Sequence, residues 1–567
     1  MMGRAITARR HDKLTIVLIG VVGSLTVIPV VMLVLGSFSR NLRSLGSFTL
    51  DKYIVVYTDP MLREVIGNTL VFVLGSAAFA TALALFLAYL NNRTDIPFKS
   101  LFKVLSVVPM MIPHVLFSVS WALLLNPSNG ILNLILKQLF QLDGMPLNIY
   151  SIWGMILVEG LLDLPIAYLI IAPAMASFDV SLEESSRVCS AGPMRTLFRV
   201  TLPVLRPAIL AAFILCTVRC LASFAVPSVL GMPGRKYVLA TYIYRAVSAG
   251  LVADYGKAAA IGMSILVTSI VLIYVYRYFT RSSERFVTVS SRGFKPSVVS
   301  LKKAKYPLFA VMLFLSFILI VLPVLVLLYT SFVPYVMVPS AKAFSMMNLN
   351  HWQAVIKDPI SLLSLKNSLF LGIVGATLGC ALSILVSYII VKVKTRAAGF
   401  LESISFLSFS FPGIVIGIGF MWFFVRTPLY ATIWALLLGY IATYLPYGIR
   451  PLTSALIQIH SHLEESSSVC GAGFFTTLRR IVIPLLVPGI VSAWILMATM
   501  FFRELTLSVV LSRPGTEVLA VQILRFSEDG MWGRLSALGI IMIFFSTLMV
   551  VGVSMLGNRL RPAEFRQ

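Results

Sequence analysis

Leu182-Glu183-Glu184-Ser185-Ser186-Arg187-Val188-Cys189-Ser190-Ala191-Gly192 is written a second time, with two changes, as Leu463-Glu464-Glu465-Ser466-Ser467-Ser468-Val469-Cys470-Gly471-Ala472-Gly473. Each copy runs on through a Thr-Leu pair, Thr196-Leu197 or Thr477-Leu478, to two prolines, Pro203 and Pro207 or Pro484 and Pro488, and then into apolar sequence. A polar, helix-forming segment set between apolar stretches in two halves of one chain reads as a docking element. Its duplication implies a partner present in two copies.

The sequence around these copies belongs in a membrane. Of the 567 residues 58% are apolar and only 12% charged, mean hydropathy is +0.93, and a soluble domain carries about a quarter charged residues. A hydrocarbon core takes about 20 apolar helical residues to cross, and twelve stretches qualify. In the first half they centre on Leu14 to Gly36, Gly67 to Leu90, Phe102 to Leu125, Ile152 to Ala174, Val204 to Val226 and Ala258 to Phe279. In the second half they centre on Leu308 to Phe332, Ser368 to Val391, Phe400 to Val425, Ala431 to Leu452, Leu485 to Leu507 and Leu535 to Leu556. The expected fold is all-α and polytopic.

A net charge of +24 could point to nucleic acid, but its distribution argues against that partner. With the N-terminus in the cytosol, Lys and Arg gather in the cytosolic segments, most densely from Arg277 to Lys305, which is the positive-inside bias. Six spans per half then return each half to the cytosol, giving parallel repeats with both termini cytosolic. The first apolar run is too long for a signal-peptide core and no small-x-small site follows, so it reads as an anchor. Among the five cysteines, Cys216-x3-Cys220 is the one short spacing, and on a membrane helix it reads as small-residue packing.

The duplication extends beyond the polar motif. Asp59-Pro60, Asn68, Tyr89 and Pro113 recur as Asp358-Pro359, Asn367, Tyr388 and Pro412, at an offset of 299 residues. The offset falls to 281 after an extra first-half loop, Asn126 to Tyr150; thereafter Leu164-Pro165 matches Leu445-Pro446 and Pro233-Gly234 matches Pro514-Gly515. The organisation expected is a six-span repeat over 1–280, a basic linker over 281–305 and a second repeat over 306–567.

Within the polar motif, Ser181 with Glu184 and Ser461 with Glu464 have capping-box spacing. Leu182, Ser185, Ser186 and Cys189 fall on one side at helical spacing. Ser190 and Gly471 permit a turn, after which Thr196 to Arg199 and Thr477 to Arg480 should form a second short basic helix back to the membrane.

At these residues the chain resembles the permease subunits of binding-protein-dependent ABC importers. Their cytosolic loop follows the pattern Glu-Ala-Ala, three residues, Gly, nine residues, Ile-x-Leu-Pro. Glu184-Ser185-Ser186, Ser190 and Val200-Thr201-Leu202-Pro203 occupy it, as do Glu465-Ser466-Ser467, Gly471 and Ile481-Val482-Ile483-Pro484. Serines replace both alanines, and Ser190 replaces the glycine. Phe502-Arg503-Glu504-Leu505-Thr506, Arg513 to Leu519 and Trp532 to Gly539, with Gly231 to Leu239 and Asp254 to Ala260 in the first half, look like the iron(III)-type permeases.

The resemblance implies a transport subunit in the bacterial inner membrane, in contact with lipid, and not an enzyme. No G-x-x-x-x-G-K-[ST] loop occurs, so ATP and Mg would be held by two copies of a separate ATPase, with no cofactor on this chain. Cargo would arrive from a periplasmic or lipid-anchored binding protein and cross by alternating access. Glu183, Glu184, Ser185, Ser186, Ser190, Ala191 and Gly192, with Glu464, Glu465, Ser466, Ser467, Gly471, Ala472 and Gly473, would form the ATPase-coupling surfaces, Glu184 and Glu465 making the polar contacts. Ferric iron is the cargo the resemblance favours; phosphonate, sugar phosphate and thiamine are carried by related permeases.

Charges inside a membrane are costly and tend to be paired or functional. Glu159 and Asp163 lie at i, i+4 on the fourth span, Arg219 in the fifth, and Arg503 and Glu504 in the eleventh. They either line the route or pair between helices, and no metal site follows from the sequence. His114, beside Pro113, reads as packed or carbonyl-bonded. A secondary transporter would share parallel six-helix halves, but the loop Asn91 to Lys103 lacks the signature such transporters carry there.

Overall fold

The computed structural model describes residues 2–41, 44–177, 181–248, 253–281, 298–393 and 395–560. The second span of each half starts where a carboxylate and a proline dictate. Asp59 is the N-cap of the helix Pro60–Arg93 and accepts from the Met61 N–H at 3.0 Å; Asp358 caps the helix from Pro359, accepting from the Ser361 N–H at 3.1 Å. Proline suits the first helical turn because its missing N–H would have no partner there.

Nine helices among the described residues are long and apolar enough to cross a membrane: Lys13–Ser37, Pro60–Arg93, Ile152–Ser177, Pro193–Ala222, Tyr255–Tyr276, Lys302–Phe332, Pro359–Val393, Phe474–Phe502 and Trp532–Val553. The remaining three of the twelve expected spans differ, and sequence chemistry explains each. The third is no straight span: Lys99–Met110 and His114–Leu125 meet at 97°. The ninth is likewise divided into Arg396–Ser405, a turn Leu407–Ser410 and Gly413–Phe424. Pro113 and Pro412 hold the residue before them in extended backbone, Ile112 at φ −76° ψ 129° and Phe411 at φ −121° ψ 138°, because the pyrrolidine ring disfavours helix at that position. The tenth is the 25-residue helix Ile433–Ile457; Tyr440, Tyr444, Tyr447 and Arg450 make it more polar than the nine.

The two halves exchange their first spans. Lys13–Ser37 packs against Arg396–Ser405 and Gly413–Phe424 of the second half, and Leu18 and Val22 share a buried cluster with Val386, Leu401 and Ile404. In return, Leu322–Phe332 packs on His114–Leu125, and Phe309 meets Phe102 edge-on at 5.7 Å between centroids. Gly419 makes the exchange possible, since a Cβ there would lie 2.1 Å from the Pro29 carbonyl oxygen.

Within each half the asparagine entering the second span pins the loop beyond the fifth. Asn68 Nδ2 donates to the Tyr237 carbonyl at 3.2 Å, and Asn367 Nδ2 to the Glu517 carbonyl at 2.9 Å. The extra loop carries the helix Ile131–Phe140 and is fastened by buried Asn133, whose amide bonds the Leu125, Asn126 and Leu147 carbonyls and the Leu147 N–H. Of the linker, residues 282–297 lie outside the described residues. It resumes beside the second span, Val299 donating to the Arg93 carbonyl at 2.9 Å.

Candidate functional site: a central cavity and two repeated loops

The fifth span leaves the helical state in both halves, at Ser223 (φ −68°, ψ 133°) and at Arg503 (φ −106°, ψ 9°). Non-helical backbone at membrane depth is tolerated where protein or a cavity takes the place of lipid. Here both breaks border a cavity of about 210 Å³ between the halves. Pro109, Met110 and His114 from the broken third segment line it, together with Glu159 and Arg219 of the first half and Tyr444, Tyr447, Arg503 and Glu504 of the second.

Four of the five intramembrane charges singled out from the sequence therefore open into one cavity. The fifth, Asp163, lies behind Glu159, fully buried, and accepts from Arg219 Nε at 3.0 Å and from Cys220 Sγ at 3.3 Å. Pairing and lining thus coexist. Glu159 accepts from Ser223 Oγ at 2.8 Å, and Glu504 accepts from the Tyr444 hydroxyl and from the Leu507 N–H. Arg503 does not pair with its neighbour Glu504; it crosses to the first half and donates to the Met110 carbonyl at 2.7 Å.

Ser223 and Glu504 are equivalent positions at the 281-residue offset, as are Asp163 and Tyr444. Each half therefore supplies a buried acid held by a hydroxyl, but with the roles of the fourth and fifth spans exchanged. Sequence reasoning missed Ser223, Tyr444 and Tyr447; that offset would have found the first two, while Tyr447 stands opposite Ile166 and carried no such signal. It also set Cys220 down to packing alone, although Cys220 follows Arg219 and shares its partner. Glu159, Asp163 and Cys220 place one ligand atom each within 4.8 Å of one another, a set of two hard oxygens and one soft sulfur.

The two polar loops are twins in structure as well as sequence. The helices Ser181–Val188 and Ser461–Val469 end at Ser190 (φ 62°) and Gly471 (φ 78°). The Ala191 and Ala472 N–H groups then reach back to the Ser186 and Ser467 carbonyls, each at 3.1 Å. That is the Schellman closure of a helix end, so serine has kept the turn that glycine makes in the other copy. Ser186 bonds Thr196 at 3.0 Å and Ser467 bonds Thr477 at 2.8 Å, and Ser185 and Ser466 donate to the carbonyls four residues back. The serines thus stitch each loop rather than offering a bare small-residue face. Gly192 and Gly473 stand as N-caps of the next helix, and no separate basic helix follows. That stretch forms the first turns of the spans Pro193–Ala222 and Phe474–Phe502.

The second capping box changes in a similar way. His460 is the N-cap of the second loop helix and makes no side-chain cap bond, so Ser461 does not cap it. Glu464 turns instead toward the second span, where the Tyr388 hydroxyl donates to it at 2.6 Å and Lys392 Nζ lies 2.8 Å away. In the first loop, residues 178–180 lie outside the described residues. Its Glu183 is buried, accepting from Thr201 Oγ1 at 2.7 Å with Arg93 Nε at 3.5 Å. Glu184 and Glu465 stand about 100° further round their helices, and Glu465 is approached by His462 at 3.5 Å on exposed surface. Each loop also presents apolar side chains outward: Val188 is 85% and Val469 86% exposed, flanked by Leu182 with Met194 and by Leu463 with Phe475.

The sequence model of the family described as binding-protein-dependent transport system inner membrane component matches residues 80–285 and again 375–562. A ferric transport system permease of Actinobacillus pleuropneumoniae is 28% identical over 518 residues, 88% of this chain and 72% of that protein. An Fe(3+)-transport system permease of Haemophilus influenzae is 23% identical over 505 residues, 87% of this chain and 89% of that protein. The solved structure of a bacterial ABC transporter that imports the acidic polysaccharide alginate is 20% identical, with a TM-score of 0.37, covering 46% of this chain and 90% of that one. The chain, an all-α multi-pass inner-membrane permease, belongs to the binding-protein-dependent transport system inner membrane components and carries the family unit twice.

Proposed function

We propose that this permease passes ferric iron from a periplasmic binding protein to the cytosol, driven by two copies of a separate ATPase that dock on its two cytosolic loops. The observation that carries the cargo reading is the acid content of the cavity. Glu159 from one half and Glu504 from the other face it, with Asp163 behind, and a hard trivalent cation favours such oxygens. The ferric transport permeases similar to this chain support the same cargo. The docking reading is supported by the apolar twins Val188 and Val469 with Leu182, Met194, Leu463 and Phe475 beside them, a repeated exposed apolar group of the kind that a partner covers. Both termini and the linker then lie in the cytosol, and Glu184 and Glu465 would give the docked ATPase its polar contacts.

A second reading has its own observation: Arg219 and Arg503 also face the cavity, and guanidinium groups suit phosphate-like oxygens. Reconstitution in proteoliposomes with the cognate ATPase and binding protein decides between them. Iron accumulation that requires ATP inside the vesicle is the expected result. Uptake of a phosphonate, phosphate ester or thiamine with no iron uptake removes the iron reading.

A further inference from the structure

We propose that Arg93 with Glu183, and Lys392 with Glu464, are duplicated positioning pairs that latch each docking helix to the cytosolic end of the second span. Movement of an ATPase would then reach the cavity wall through that span. The proposal rests on the reading that the loops dock an ATPase.

The pairs are equivalent by sequence as well as by place. Arg93 and Lys392 are 299 residues apart, as are Tyr89 and Tyr388 one turn before them, and Glu183 and Glu464 are 281 apart. Each glutamate immediately precedes the one that fits the family loop pattern. One residue turns a helix by about 100°, so when Glu184 and Glu465 face a partner, Glu183 and Glu464 face the permease. The first pair is almost wholly buried, at 1% and 3% side-chain exposure, and the second is only slightly more open. Thr201 adds a bond to Glu183 from the start of the fifth span, and Lys392 also donates to the Ile459 carbonyl ahead of its docking helix.

A buried charge pair is costly to form and adds little net stability over an apolar one. Its presence twice over is accounted for by the direction it imposes: an ion pair fixes which way the docking helix is pulled, whereas an apolar contact slides. Beyond the latch, the second span packs along the fourth, which carries Glu159 and Asp163. That contact is close: a Cβ on Gly160 would meet Phe79 at 2.5 Å, and Asn91 Nδ2 donates to the Tyr168 hydroxyl at 3.0 Å. In the second half, Gly448 packs against Ser383 and Ser387 donates to the Ile449 carbonyl. Latch, second span and fourth span therefore form one stiff lever ending at the cavity.

The test uses the full chain in nanodiscs with its ATPase and binding protein. The variants are Glu183→Gln, Glu464→Gln and the charge swap Arg93→Glu with Glu183→Arg. Two quantities are read: ATPase retained on purification, and ATP hydrolysis with binding protein relative to without. The expected result is retention of the ATPase at wild-type stoichiometry, a fall of about tenfold in the stimulation ratio, an unchanged KM for ATP, and partial recovery in the swap. Stimulation at the wild-type ratio in Glu464→Gln, the more open site where folding is least at risk, overturns the latch. Loss of the ATPase from both single variants, not restored by the swap, also overturns it, since the pairs would then only build the docking face. Failure of the docking reading is separate: it would appear as a wild-type chain that retains no ATPase.

Discussion

At the residue scale, the five intramembrane charges divide into Asp163, sealed behind the cavity, and four that open into it. Asp163 is sealed away with Arg219, which is about one-third open to the cavity, and stranding one member of a buried pair costs about 3 kcal/mol. Asp163→Asn should therefore lower the thermal stability of the detergent-solubilised chain by that order. Glu159→Gln keeps an oxygen for Ser223 and should cost less than about 1 kcal/mol, yet reduce iron flux. Equal destabilisation by the two changes would contradict this division. At the N-terminus of the second span, the Tyr242 hydroxyl beside Asp59 holds its carboxyl below the usual range, helped by the Met61 N–H and by Lys257. A carboxylate depressed on folding adds stability that is present above its unfolded pKa, about 3.9, and is lost as pH falls through the lower folded value. The Asp59 clamp should hold at pH 5 and release only below about 4. Hydrogen exchange at Met61 to Glu64 reads this directly, and Asp59→Asn should abolish the acid step.

At the scale of elements, two of the loops and breaks are legible in retrospect from backbone chemistry. Ser190 adopts the left-handed conformation that Gly471 takes in the second copy, and a residue with a Cβ is strained there by about 1 kcal/mol. Ser190→Gly should slow exchange of the amides from Cys189 to Gly192, and Gly471→Ser should quicken it in the other loop. Opposite signs in the two loops are the outcome that matters; a shared sign would mean that packing rather than φ controls the turn. The broken third segments follow from Pro113 and Pro412, which occupy equivalent positions in the two halves. An apolar run long enough to span hides a proline's effect, because hydropathy averages over the window while the clash is with one neighbouring residue.

At the scale of the whole molecule, the exchange of first spans ties the halves together. Gly419→Ala would set a Cβ against the Pro29 carbonyl, a backbone atom that cannot rotate away, whereas a Cβ at Gly20 meets nothing within 4 Å. The first change should destabilise by about 2 kcal/mol and the second should not; equal effects would mean that this crossing does not join the halves. The orientation proposed for the chain puts cysteine labels at Arg235 and Arg513 outside and at Lys302 inside. Labelling of Arg235 and Lys302 sites from one face would reverse that topology.

Composition and two offsets within one chain determined that this is a duplicated all-α membrane protein with one polar loop repeated in each half. These are properties of local sequence, set by what lipid and water each accept. Which half a span packs against, which way Glu183 and Glu464 turn, and that Arg503 bonds Met110 instead of its neighbour Glu504 were decided only in the tertiary structure. Residues 390 or 393 positions apart, Pro29 with Gly419 and Met110 with Arg503, meet there, and a pattern read along the chain carries no information on which apolar faces or which buried charges find one another once the helices pack.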